Sequence, residues 1–121
     1  MAESANADDI FLLYNEKEED IDPIAQTLKS AGLSVYFYRR DLPVGSDIQA
    51  VESEKLRSAR AVVVLLGKHG WGPTQREIAF QAESLQKIIV PVLIDEPPAD
   101  ALTDVDGMFQ RRRRIDFRER A

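Results

Sequence analysis

Four apolar runs punctuate the chain: "DIFLLY" (9–14), "LSVYFY" (33–38), "AVVVLLG" (61–67) and "KIIVPVLI" (87–94). The third and fourth are near-continuous and rich in Val and Ile. That pattern belongs to strands covered on both faces, as in a parallel sheet, rather than to half-exposed alternating strands. A fifth, weaker run is "RIDF" (114–117). Pro91 falls inside the fourth run and removes a ladder donor there, which predicts a bulge or a shortened strand near its middle.

Between the runs the apolar positions recur at three- and four-residue steps. In "DPIAQTLKSAG" these are Ile21, Ile24, Ala25, Leu28 and Ala31. Asp22 is placed as N-cap, Pro23 at the first helical position, and Gly32 at the C-terminal stop. "SDIQAVESEKLRSA" opens with Ser46 and Gln49 at capping-box spacing, with a thin stripe of Ile48, Val51 and Leu56. "TQREIAFQAESLQ" carries Ile78, Ala82 and Leu85 on one face, with Phe80 off the stripe. Its Thr74 and Glu77 also have capping-box spacing. Residues 98–109 are expected to form a short helix.

The order is β-α-β-α-β-α-β-(α)-β. Strict alternation implies right-handed crossovers onto a mostly parallel sheet. The expected fold is therefore α/β, a flavodoxin-like three-layer sandwich. Its five-stranded parallel sheet would have the order 2-1-3-4-5, with helices on both faces. Ligands of such sheets bind outside the carboxyl ends of the strands, here at loops 14–20, 38–46, 67–74 and 95–99. The domain is expected to span 8–119, after a tail at 1–7. A unit of this type usually ends in a helix over its last strand, so that helix is expected from a following domain or to have been lost by excision.

The composition narrows the chemistry. The 121 residues fit one domain, and 44% of them are hydrophobic, enough for a core. The apolar runs are too short to span a bilayer, and "MAESANADD" is too polar for a signal peptide. The sequence has no cysteine, which excludes disulfides, thiol catalysis and cysteine-bound metal and fits a reducing, cytoplasmic setting. The net charge of -5 is unevenly spread: residues 1–22 hold eight acids and one Lys, and residues 111–120 hold six Arg and two acids. An acidic chain is a poor binder of nucleic acid. The run Arg111–Arg114 reads as a solvated approach to a strand or as a docking surface for another domain.

Several chemistries fail on their motifs. No G-x-G-x-x-G follows the first strand, which disfavours a dinucleotide-binding Rossmann site, and "GKHGWG" lacks P-loop spacing. His69 has no nucleophile or metal-ligand partner at a telling spacing, so no metal site is expected. A phosphoacceptor receiver domain would need an Asp at the end of strand three, where the chain reads "LLGK".

The motifs in order resemble those of Toll/interleukin-1 receptor (TIR) domains of the bacterial type. "DDIFLLYNEKEED" is similar to the family's first strand and loop, and "GLSVYFYRRDLPVGSDI" to its second strand and BB loop. "SARAVVVLLGKHGWGPTQREI" is similar to its third strand and following helix, and "IIVPVLID" and "RRIDFRE" to its last two strands. The family divides into scaffolds that pair through the BB loop and enzymes that cleave NAD+ at the nicotinamide–ribose bond. In the enzymes a Glu on the helix after strand three is essential, and that position falls on Glu77.

The resemblance implies an NAD+ hydrolase or cyclase, with NAD+ as substrate rather than cofactor. It further implies activation by self-association and a fused or associated sensor domain, in bacterial anti-phage immunity. The alternative is a non-catalytic scaffold acting through the BB loop. One carboxylate suffices for the reaction. Glycoside hydrolysis ordinarily takes two, but nicotinamide leaves a cationic pyridinium as a neutral molecule and needs no general acid. Tyr14 and Asn15 would line the same cleft. Two roles are open to Trp71, stacking on a flat cationic ring or packing over the sheet end. Arg39 and Arg40 would hold the diphosphate or belong to a solvated loop. Asp41, Pro43 and Gly45 would shape that loop.

Overall fold

The computed structural model describes residues 9–15, 17–18, 21–38, 44–45, 47–70, 72–95 and 115–116. Four strands form the body of a parallel sheet in the order β2-β1-β3-β4: β1 (Ile10–Leu13), β2 (Val35–Phe37), β3 (Ala61–Leu66) and β4 (Ile88–Leu93). The fifth, β5, is described for Ile115–Asp116 alone, pairing Val92↔Ile115 and Leu93↔Asp116 at the β4 edge. The expected helix at 98–109 lies outside the described residues.

The continuous apolar runs reflect two-sided cover. Every residue of β1 is buried, as are Val62 to Leu66 in β3. β1 lies between β2 and β3, in register Phe11↔Tyr36 on one side and Phe11↔Val62 on the other.

Pro91 does not break its strand. The β3–β4 register runs without a bulge from Ala61↔Ile88 through Val64↔Pro91 to Leu66↔Leu93. The reason lies in the direction of its missing donor. The amide of Ile94 bonds to Leu66 O at 2.9 Å, so even-numbered residues of β4 face β3. In a parallel strand alternate residues turn their backbone groups to opposite neighbours. Pro91 thus turns away from β3, toward the side on which the described β5 pairing begins at Val92.

Among the described residues the helices are α1 (Asp22–Ser30), α2 (Ile48–Ser58) and α3 (Pro73–Ser84). β1 to β2 steps one way along the sheet, and β2 to β3 to β4 steps the other. Right-handed crossovers therefore set α1 on one face and α2 with α3 on the other. A groove lined jointly by α2 and α3 agrees with that placement.

The helix starts differ from the sequence expectation. Ile21 is the N-cap of α1, with Asp22 inside the first turn, where its charge complements the helix dipole. In α2 the cap is Asp47, whose Oδ1 accepts from the Ala50 amide at 3.1 Å. Ser46 lies outside the described residues. α3 begins two residues earlier than the Thr74–Glu77 spacing suggested, with Gly72 as N-cap and Pro73 next. A residue before proline is driven to extended backbone. Gly72 has that conformation, at φ -93° and ψ 168°, and Pro73 has its φ already set for a helix.

Both α1 and α3 end in Schellman turns. After α1, Gly32 N–H bonds to Lys29 O at 3.0 Å and Leu33 N–H to Leu28 O at 3.2 Å, with Gly32 at φ +90°. After α3 the same pair of bonds runs from Gln86 to Glu83 at 3.0 Å and from Lys87 to Ala82 at 3.1 Å. Here the left-handed residue is Gln86, at φ 59°. A side chain in that region costs about 1–2 kcal/mol, more than glycine adds in unfolded-chain entropy, about 0.5–1 kcal/mol. Gln86→Gly is therefore expected to raise stability by about 0.5–1 kcal/mol in urea denaturation. A loss of stability would contradict the turn.

Asp9 ties the amino-terminal ends of three strands. Its Oδ2 accepts from the Ser34 amide at 3.0 Å and the Ser34 hydroxyl at 3.3 Å. Its Oδ1 lies 3.5 Å from Arg60, and its carbonyl accepts from the amides of Arg60 and Ala61. The Ser34 amide is the main cause that holds the Asp9 carboxyl below its ordinary value of 3.8, with the Ser34 hydroxyl and Arg60 adding to it. The folded pKa is thus lower than the unfolded one. The stabilisation is present above the unfolded value and lost as pH falls through the folded one. Asp9→Asn is expected to lower the urea midpoint at neutral pH and to converge on the unsubstituted protein as pH falls below the ordinary carboxyl value of 3.8 and on through the lower folded one. A gap independent of pH would refute this.

Candidate active site

The loops after β1 and β3 are clasped together. Asn15 Nδ2 donates to His69 O at 3.2 Å and Gly70 O at 3.3 Å. Its Oδ1 accepts from the Lys17 amide at 3.0 Å, which turns the chain so that Glu18 Oε2 accepts from the His69 amide at 2.9 Å. Glu18 can lie there because position 67 is glycine: a Cβ would stand 2.7 Å from the Glu18 carboxyl.

A second set of bonds joins the strand ends to α3. Tyr14 Oη–H donates to Tyr38 O at 2.9 Å, with the two rings edge-on at 6.0 Å. Gln75 Nε2 donates to Tyr38 Oη at 3.1 Å, and its Oε1 accepts from the Gly72 amide at 2.8 Å. The amide orientation follows from the chemistry, since only the Gln75 oxygen can accept from an N–H. Glycine at 72 leaves room for this contact, because a Cβ there would meet Gln75 Oε1 and push that side chain aside. The reciprocal capping contact expected of Glu77 is thus made by Gln75, the third residue of the helix.

Glu77 stands elsewhere on α3. It lies four residues past Pro73, about 6 Å along the axis, at the start of the second turn. It is exposed, and among the described residues its carboxylate accepts no hydrogen bond and makes no ion pair. It borders two grooves. One, of about 230 Å³, is lined by Ile48, Glu52 and Leu56 of α2 and Thr74, Glu77 and Ile78 of α3. The other, of about 350 Å³, runs past Ser53, Arg57, Phe80, Gln81 and Leu85.

Tyr14 and Asn15 come together with Gly70 and Gln75 around a small depression at the sheet end. Glu77 does not line that depression. Arg39, Arg40 and Trp71 lie outside the described residues. Sequence reasoning missed Gln75, Tyr38, Glu18 and the buried Glu52. Gln75 was within reach of it, as the third residue of a helix announced by Gly-Pro. Nothing in the spacing of Glu18 and Gly67, 49 residues apart, marks their contact. Among the described residues no group of three or more His, Cys, Asp or Glu could hold a metal ion, and no helix is long and apolar enough to cross a membrane.

Comparisons with known proteins converge on one family. A family model described as "TIR domain" matches residues 10–121. No curated protein sequence matches the chain. Among solved structures it is similar to the TIR domain of the Toll-related receptor TRR-2 from Hydra magnipapillata, at a TM-score of 0.76 and 14% identity, covering 94% of this chain and 87% of that one. It is also similar to the TIR domains of the activated Roq1 resistosome, at 0.63 and 19%, covering 72% of this chain and 57% of that one. A third likeness, to a metazoan TIR-STING receptor from C. gigas, has a TM-score of 0.60 and 17% identity, covering 91% of this chain and 41% of that one. At these identities the structures speak for the fold alone.

Proposed function

The chain belongs to the TIR domain family, and from that premise we propose that it cleaves NAD+ at the nicotinamide–ribose bond, with Glu77 as the catalytic carboxylate. The observation that carries the reading is the state of Glu77. It occupies the helix position that the resemblance assigns to the NAD+-cleaving members, and it is exposed beside a groove with no partner among the described residues. A carboxylate serving only as helix punctuation would be bonded to its own helix start, and here Gln75 fills that role.

The chemistry follows from the leaving group. Nicotinamide departs neutral as the C–N bond breaks, and positive charge builds on the ribose. An ionised Glu77 aimed at that charge stabilises it and holds the ribose hydroxyls. Water then completes hydrolysis, or the adenine of the same molecule closes a cyclic product. In this reading the domain works in the cytoplasm as the effector of a bacterial anti-phage system. It is switched on when a fused or associated sensor drives self-association.

One observation favours a second reading, a scaffold that pairs through the loop before α2. Val44 is fully exposed there, followed by Gly45 at φ +86°, which leaves an apolar side chain at a turn. A single experiment separates the two. The protein is concentrated on a surface that forces assembly, given NAD+, and assayed for nicotinamide. Release supports the enzyme. Self-association without release supports the scaffold.

A further inference from the structure

We propose that Gln75 is a positioning residue, one that fixes the rotation of α3 and so the direction in which Glu77 points. The geometry rests on three buried side chains. Tyr38 is fully buried and Gln75 is 5% exposed. Tyr38 is held at both ends, its carbonyl by the Tyr14 hydroxyl and its own hydroxyl by Gln75 Nε2. The other end of the Gln75 amide closes on the Gly72 N–H. A buried polar chain with its partners in place is rigid, because breaking any member strands a polar group away from water.

The placement of Gln75 and Glu77 converts that rigidity into aim. Two residues of helix turn the side chain by about 200°. Gln75 therefore faces inward where Glu77 faces outward, as their burial and exposure record. Any roll of α3 that moved Glu77 would pull Gln75 off Tyr38, which lies outside the helix. The same chain links the helix to Tyr38, where the backbone leaves β2, so strain on that segment reaches the first turn of α3.

The effect on catalysis rests on the NAD+ reading, whereas the linkage itself does not, and the test keeps them apart. Tyr38→Phe removes one hydroxyl and leaves the ring. It touches neither Gly72 nor Glu77. It is expected to speed amide hydrogen exchange at Gly72 by at least about tenfold while β2 amides keep their protection. In the assembled protein it is expected to lower kcat for nicotinamide release by at least about tenfold, with KM moving less than about threefold. Gln75→Leu should do the same. Unchanged exchange at Gly72 in Tyr38→Phe overturns the proposal, as does faster exchange with an unchanged kcat. If the unsubstituted protein releases no nicotinamide, the NAD+ reading fails, and Gly72 exchange still decides whether Gln75 is clasped through Tyr38.

Discussion

Glu77→Gln is expected to reduce nicotinamide release from the assembled protein by at least about 100-fold, the scale of losing a group that stabilises developing charge. The substitution keeps size and shape and removes only the charge. The structure makes the variant clean. Glu77 is exposed, makes no hydrogen bond or ion pair among the described residues, and does not cap α3. Its urea midpoint should therefore correspond to a change within about 0.5 kcal/mol. A capping role would have predicted a loss of up to about 1 kcal/mol, so the stability measurement also checks the assignment of the cap to Gln75. A Gln variant that keeps activity within a few fold of the unsubstituted protein would remove Glu77 from the chemistry.

How the sequence foretold the fold differs between its strands and its helix starts. β1 and β3 were legible because two-sided burial leaves nothing but apolar residues, and a continuous run at strand length has one reading. The order of the four full strands followed from the flavodoxin-like fold class that strict alternation of strand and helix implies. The caps were not legible from the same rules, because several polar residues stand near each helix start and spacing does not choose among them. At α3, Thr74–Glu77 and Gly72–Gln75 both have the spacing, and the deciding fact is backbone geometry, with proline fixing where the helix begins. The same limit applies at Pro91, whose harm depends on which neighbour its nitrogen faces, a property of register rather than of residue type. In the site, Tyr14 and Asn15 were placed at the sheet end by topology. The bond from Gln75 to Tyr38 spans 37 residues, and no local pattern records it.

Phe11→Ala should cost about 3–5 kcal/mol, the largest effect on stability expected in this chain. β1 is flanked by β2 and β3, and Phe11 has no exposed surface. Its ring meets Tyr36 at 5.2 Å and a 45° tilt, one strand away. Removing it opens a void that neighbours fixed by two ladders cannot close. A domain of this size holds about 5–15 kcal/mol in all, so the variant should unfold at a much lower urea concentration and be partly unfolded at the temperature of the assay. Phe80 supplies the control. It is 48% exposed on α3 beside the groove, and Phe80→Ser should cost less than about 1 kcal/mol. A Phe11→Ala loss below about 1 kcal/mol would show that the core does not centre on β1. The pair also isolates the chemistry. Phe11→Ala should lower nicotinamide release only by the fraction unfolded, so that activity returns on cooling, whereas Glu77→Gln should stay inactive while fully folded.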